Sequence, residues 1–199
     1  KEDPGFASAV DAIRKESEYL ASLIQDLLYY SDIILQDSES KTSQENLKEI
    51  TAKIVTDRRQ ALRQNNQTLH IELADEWPPM TVDRRRIELA LGAILDNAIK
   101  FTPSGGEITL SGEQSDREFS LTISDNGPGI APEEMGKIFE KFYQVDPNHT
   151  GQIRGFGLGL FYARQFVRDH GGEINLESSL GQGTSVTVRL PRPVLRQSD

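Results

Sequence analysis

Apolar residues recur in steps of four and three from Phe6 onward: Phe6, Val10, Ile13, Ser17, Leu20, Ile24, Leu27, Ser31 and Ile34, seven of the nine apolar. That spacing predicts one long helix from Phe6 to about Leu35 with a coiled-coil or bundle seam. Ala9, Leu23, Leu28 and Tyr30 widen the stripe beyond a strict two-stranded seam and favour a multi-helix bundle. Some thirty residues at about 1.5 Å each make a rod of roughly 45 Å, too long to bury its own stripe. It needs partners. A core helix of the same globule is the competing reading.

Gln36 to Thr42 is polar and reads as a linker. A second helix is expected from about Ser43 to Arg63, with Leu47, Ile50, Ile54, Ala61 and Leu62 on or near one face. Leu69 to Leu73 alternates as a strand, and Trp77-Pro78-Pro79 breaks it. Asp83 is placed to cap a helix through Ile87, Leu91, Ile94, Leu95 and Ile99 to Phe101. Pro103-Ser104-Gly105-Gly106 makes a turn, and strands follow at Glu107–Ser111 and Glu118–Ser124. A helix from about Gly159 to His170 is stopped by Gly171 and Gly172, and strands Glu173–Glu177 and Thr184–Leu190 close the sheet. Helices with mostly sequential strands imply an α+β two-layer sandwich, a mixed sheet with helices on one face.

Composition narrows the function classes. Lys and Arg number 22 against 31 Asp and Glu, a net charge of −9, which argues against a chain that grips nucleic acid or anionic lipid. The absence of cysteine excludes disulfides, thiolate metal sites and cysteine nucleophiles. No apolar run of about 18 residues exists to span a bilayer. The first residues lack a start Met and a targeting segment, so the chain reads as a piece of something longer. Glycine is uneven: Gly5 and Gly92 precede residue 105, and the other 14 of 16 lie between Gly105 and Gly183. The loop-rich half is where the chemistry should sit.

Three clusters there matter: Asn97-Ala98-Ile99-Lys100-Phe101-Thr102, Asp125-Asn126-Gly127-Pro128-Gly129 and Gly155-Phe156-Gly157-Leu158-Gly159-Leu160. Each alone is ambiguous, since Asp-x-Gly-x-Gly is also a turn sequence and a glycine triplet also a hinge. The triplet fails the dinucleotide fingerprint, whose third glycine falls on Leu160, and no Gly-Lys-Ser/Thr occurs for a Walker loop.

Taken in order, the clusters resemble the Asn box and two glycine boxes of the ATP-binding domain of sensor histidine kinases. These belong to the wider gyrase, Hsp90, histidine kinase and MutL superfamily (the Bergerat fold). Ile138 to Asp146, with Phe139, Phe142 and Tyr143, looks like the kinase-type phenylalanine box, and Gly171-Gly172-Glu173-Ile174 and Gly181-Gln182-Gly183-Thr184 complete the pattern. The resemblance runs from about Ser43 to Pro191. The opening helix, with Glu16, Tyr19-Leu20, Leu23-Ile24 and Asp26-Leu27-Leu28, looks like the second helix of the dimerisation and phosphotransfer hairpin.

The resemblance implies roles. Asp125 would accept the adenine amino group; its alternative is a turn residue capping its own loop. Gly127 and Gly129 would let backbone approach the purine without a Cβ in the way. Asn97 would ligate Mg²⁺ through its amide oxygen, a hard ligand for a hard ion. Lys100, a turn on, would reach the phosphates or stay solvated. Gly155, Gly157, Leu158, Gly159 and Leu160 lead into a helix start, where free N–H groups favour phosphate. Tyr143 would flank the adenine and Thr184 support it. Gln144 to Arg154 would form a lid, in which Arg154 or the nearby Lys141 touches phosphate or lies on a plain surface.

The implied protein is the ATP- and Mg²⁺-dependent catalytic domain of a histidine kinase, cytoplasmic, acting as a homodimer through its first helix and serving a response-regulator receiver domain. Residues 1–38 would be half a hairpin, 39–193 the catalytic domain and 194–199 a tail. The acceptor histidine is absent: His70 falls in a strand, His149 in the lid and His170 at a helix end. Two departures stand out. Ala93 occupies the position where hydrolytic relatives carry a glutamate base, and Gln144 the place of a frequent arginine. Together they keep open a nucleotide-binding pseudokinase that signals by shape.

Overall fold

A computed structural model describes residues 41–74, 77–115, 117–145 and 156–192, with nine helical residues between Ala9 and Leu28. Those nine bear on the opening helix only in part. Val10, Ile13, Leu20, Ile24 and Leu28 among them are 48–67% exposed. Phe6, Leu27, Ser31 and Ile34 of the seam lie outside the described residues, as do the boundary near residue 38 and the 194–199 tail.

The elements are β1 (Ser43–Glu45), α1 (Leu47–Gln64), β2 (Thr68–Leu73), β3 (Met80–Val82), α2 (Arg84–Phe101), β4 (Glu107–Gln114), β5 (Glu118–Asp125), α3 (Pro132–Met135), α4 (Gly159–Asp169), β6 (Glu173–Ser179) and β7 (Gly183–Pro191). Five strands form one sheet in the order β2-β4-β5-β7-β6. The β2–β4 pair is parallel and the other three pairs are antiparallel. The sheet is therefore mixed, as expected.

Alternation sorts its two faces. Ile108 and Leu110, Phe119, Leu121 and Ile123, and Val186, Val188 and Leu190 are buried on the helix side. The opposite face carries hydroxyls that pair across strands, Thr122 with Thr187 and Ser124 with Ser185, each at 2.9 Å. Against the apolar face lie Leu47, Ile50 and Ile54 of α1, Ile87, Leu91, Ile94 and Leu95 of α2, and Ala163, Phe166 and Val167 of α4. Burying each of the large ones is worth about 1.5–3 kcal/mol, so this layer sets the fold.

Two expectations shift. The helix expected from Ser43 begins at Leu47, because Asn46 caps it by accepting the Lys48 N–H at 2.9 Å. Ser43–Glu45 is instead a strand, paired antiparallel with Met80–Val82 in a small second sheet. The cap on α2 is as read: Asp83 accepts the Arg86 N–H at 3.1 Å. His170, at the end of α4, ties the two helices together. Its Nδ1 lies 2.6 Å from the Phe166 carbonyl and its Nε2 accepts the Asp83 N–H at 2.8 Å. Because α2 and α4 meet there by the head of one and the tail of the other, their opposite ends are left to face the sheet's glycine loops.

Candidate active site

The C-terminal half of α2 projects Ala93, Asn97 and Lys100 along one face, at the i, i+4, i+7 spacing of a helical row. Asp96 beside them is held by Arg58 of α1, whose Nε and Nη2 each donate to a carboxylate oxygen at 2.7 Å. Lys100 places its ammonium 4.5 Å from the centre of the Phe101 ring.

Asp125 ends β5, opposite Thr184 of β7. Its Oδ1 accepts the Gly127 N–H at 2.8 Å. Burial pushes its carboxyl above the usual range, and the backbone N–H groups of Gly127 and Thr184 oppose that rise. A carboxylate at the end of a core strand is desolvated by the sheet, and two amides are too few to offset it.

The loop after β5 is stapled to the β6–β7 hairpin. Gly181 N–H donates to the Pro128 carbonyl at 2.7 Å, and Ile130 N–H to the Ser178 hydroxyl at 2.8 Å. Gly129 has φ +72°, and a Cβ there would lie 2.0 Å from the Ser179 carbonyl oxygen. At Gly127 a Cβ would come within 2.7 Å of Asp125 Oδ1 and 2.9 Å of the Phe101 carbonyl. The expectation was that these glycines make room for a ligand. The structure supplies a further reason: a Cβ at either would meet the protein's own backbone or the Asp125 carboxylate.

Past α3 the chain reaches Phe142, 64% exposed and at φ +64°, a conformation that costs a bulky side chain. Its N–H donates to the Gly157 carbonyl at 3.1 Å. Gly157, at φ +68°, lies against Tyr143, whose carbonyl would be 2.3 Å from a Cβ. Phe142 and Tyr143 are thus held beside Gly157. Tyr143 donates its hydroxyl to the Glu134 carboxylate. Leu158 follows, buried, and α4 begins at Gly159 without a side-chain cap, so its first N–H groups have no intrahelical partner.

These pieces enclose a cavity of about 390 Å³, within the range for small-molecule sites. Ten of the twelve site residues expected from sequence line it: Asn97, Lys100, Asp125, Gly129, Tyr143, Gly157, Leu158, Gly159, Leu160 and Thr184. Gly127 supports Asp125 from outside the wall, and Gly155 lies outside the described residues, as do His149 and Arg154. Ala93 and Gln144 also line the cavity. Lys141 does not; its ammonium sits 4.7 Å from the Phe161 ring centre. His70 is exposed on β2, paired with Thr109.

Sequence reasoning missed the apolar walls, Ile123, Ile130, Ile138, Leu176 and Val186, and the hydroxyl of Ser178. Alternation in the strands signalled Ile123 and Val186 as buried, but no local pattern aims them at a cavity. Among the described residues no group of three or more His, Asp or Glu is placed to hold a metal; the Asn97 amide is one of several oxygen donors in the wall, with Asp96, Asp125 and Gln144.

Residues 82–194 match the family described as histidine kinase-, DNA gyrase B-, and HSP90-like ATPase. Over 181 residues the chain is 32% identical to sensor protein SrrB of Staphylococcus aureus, a match covering 89% of this chain and 30% of that protein. The chain thus spans about a third of the length of that relative. Its fold superposes on the mycobacterial sensor histidine kinase MprB with a TM-score of 0.66 at 28% identity, over 77% of this chain and 99% of that one. A likeness of fold also extends to histidine kinase ThkA in complex with response regulator protein TrrA, TM-score 0.73 at 24% identity, over 99% of this chain and 55% of that one.

Proposed function

Because the chain belongs to the histidine kinase-, DNA gyrase B-, and HSP90-like ATPase family and carries the ATP-binding domain of a sensor histidine kinase, we propose that it passes the γ-phosphoryl of Mg-ATP to a histidine on a dimerisation helix beyond these 199 residues. The observation that supports this most is the make-up of one cavity. A sheet-held carboxylate, Asp125, an amide, Asn97, an ammonium, Lys100, and a helix start without a side-chain cap line it together.

In this reading Asp125 accepts the purine's amino protons, and Ile123, Ile130, Ile138 and Val186 exclude water around the ring. Lys100 and the first N–H groups of α4 neutralise phosphate charge, which is most of what phosphoryl transfer asks of a protein. Asn97 would hold Mg²⁺ through its amide oxygen, and phosphate oxygens and water would complete a shell that this ion gives up reluctantly. The cation would supply charge neutralisation between β- and γ-phosphates. Ala93 offers no general base, so water is not activated and the γ-phosphoryl waits for its acceptor.

The same proposal assigns residues 1–38 to the dimerisation hairpin, 39–193 to the catalytic domain and 194–199 to a tail. Exposed Val10, Ile13, Leu20, Ile24 and Leu28 support packing against a second copy, and the receiver domain of a response regulator would take the phosphoryl onward; ThkA is seen in complex with a response regulator. A cytoplasmic position is part of this reading; among the described residues no helix is long and apolar enough to cross a membrane. The pseudokinase alternative is favoured only by Ala93 and Gln144 in the cavity wall.

The test is a labelling experiment. With γ-labelled ATP the 199-residue chain should stay unlabelled, because His170 is engaged at both ring nitrogens by backbone and stands 11 residues, about 16 Å, from the start of α4. A longer chain that includes the upstream helix should acquire acid-labile label. Nucleotide binding without any such label would instead establish the pseudokinase.

A further inference from the structure

Resting on the adenine-nucleotide reading of this cavity, we propose that Ser178 is a specificity-determining positioning residue: by fixing the direction of the Thr184 hydroxyl proton it leaves Thr184, opposite Asp125, an acceptor that favours a purine carrying an amino group over one carrying a keto oxygen.

The argument is one of proton accounting. A hydroxyl has one proton and two lone pairs. Ser178 Oγ accepts the Ile130 N–H at 2.8 Å, lies 2.8 Å from the Gly183 carbonyl oxygen and lies 2.9 Å from Thr184 Oγ1. A carbonyl only accepts, so the Ser178 proton goes to Gly183. One lone pair is taken by Ile130. The contact with Thr184 then has a single solution: Thr184 donates and Ser178 accepts.

That solution turns the Thr184 proton away from the cavity and leaves its lone pairs facing in. Asp125, opposite Thr184 in the β5–β7 ladder, is acceptor-only when ionised. The other hydroxyl in the wall, Tyr143, has its proton on Glu134. Neither side-chain hydroxyl lining the cavity therefore has a proton to offer a keto oxygen. An amino group finds two acceptors in Asp125 and Thr184, whereas a keto oxygen in its place faces their lone pairs and is disfavoured.

Ser178 itself does not line the cavity. Its influence runs through Thr184, and this separates a specificity role from a scaffolding one. Removing the Ser178 hydroxyl frees the Thr184 hydroxyl to rotate and donate inward. It also orphans the Ile130 N–H, but any loosening of that loop weakens every nucleotide alike and leaves a ratio of affinities unchanged.

The experiment is calorimetry on the full chain with ATP and with inosine triphosphate, which carries a keto oxygen in place of the amino group. The unaltered chain should prefer ATP by about 100-fold or more. Ser178→Ala should narrow that preference by about tenfold, the worth of roughly one hydrogen bond, and Ser178→Thr should restore it. In a Thr184→Val background, Ser178→Ala should leave the preference where Thr184→Val alone puts it. An unchanged ratio in Ser178→Ala, or the same narrowing without the Thr184 hydroxyl, overturns the proposal while the nucleotide site stands. Absence of ATP binding to the unaltered chain removes the site and this inference together.

Discussion

Of the polar groups that line the cavity, Asp125 and Thr184 belong to the sheet, whereas Asn97 and Lys100 ride on a helix and Tyr143 and Gln144 on the segment after α3. Asp125, Thr184, Ser178, Gly183 and the loop from Gly127 to Ile130 share one network of backbone and hydroxyl bonds between 2.7 and 2.9 Å. Asn97 and Lys100 reach in from α2, and α4 starts uncapped. The first region is satisfied by the protein itself. The second is built from an amide, an ammonium and a helix start without a side-chain cap. The difference teaches that one side of the cavity is fixed by the sheet's own bonding while the other is presented by helices, and under the proposed function this separates base recognition from phosphate recognition.

The sharpest way to break the comparison is Asp125→Ala. It leaves the adenine amino group unpaired in a dry pocket, and we expect ATP affinity to fall at least tenfold, with calorimetry as the check. Unchanged affinity would remove Asp125 from the base end. Next in size is Asn97→Ala. Here ATP binding in the presence of EDTA should be nearly unaffected, while the gain on adding Mg²⁺ should vanish. If the variant still responds to Mg²⁺, the cation is held elsewhere.

Gly157→Ala probes the segment that leads into α4. It forces a side chain into φ +68° and into the Tyr143 carbonyl, at a cost of about 1–3 kcal/mol. Thermal unfolding should register that loss, and ATP should weaken more than adenosine. Equal weakening would place Gly157 at the base end instead.

The smallest effect concerns Asp125 and pH. Its folded pKa is raised by burial, so the native state binds its proton more tightly than the unfolded chain does. The ionised group therefore costs stability above the folded pKa, and that cost is absent below the unfolded value. Asp125→Asn should raise the unfolding temperature slightly at pH 7, lose the advantage as pH falls through the carboxylate range, and still bind ATP more weakly. A variant less stable at pH 7 would show that the Gly127 and Thr184 N–H bonds outweigh desolvation.

Some of this was legible locally. The α2 helix announced itself because a capping aspartate, a 3.6-residue apolar period and a following Pro-Ser-Gly-Gly turn all agree, and it runs from Arg84 to Phe101. The strands from Glu107 and Glu118 proved longer than read, because the ladder carries on through Gln114 and Asp125 once a neighbour is present. The β1 and β3 strands were illegible: three residues each, they exist only because Ser43 meets Val82 across 39 positions of chain.

What the sequence determined by itself was the inventory and its order: which segments carry a helical or alternating period, which loops hold glycine, and which carboxylate, amide and ammonium stand beside them. Periodicity and turn chemistry are short-range properties, so they survive without a fold. The tertiary structure alone decided the rest. It brought Ser178 within reach of Ile130, 48 positions away, aimed Ile130 and Ile138 over the same cavity as Leu176, and gave Gly129 its reason in the Ser179 carbonyl. It also settled where the Thr184 proton goes, because a hydroxyl has no preferred direction until its neighbours, all supplied by other strands and loops, have claimed their share of its lone pairs.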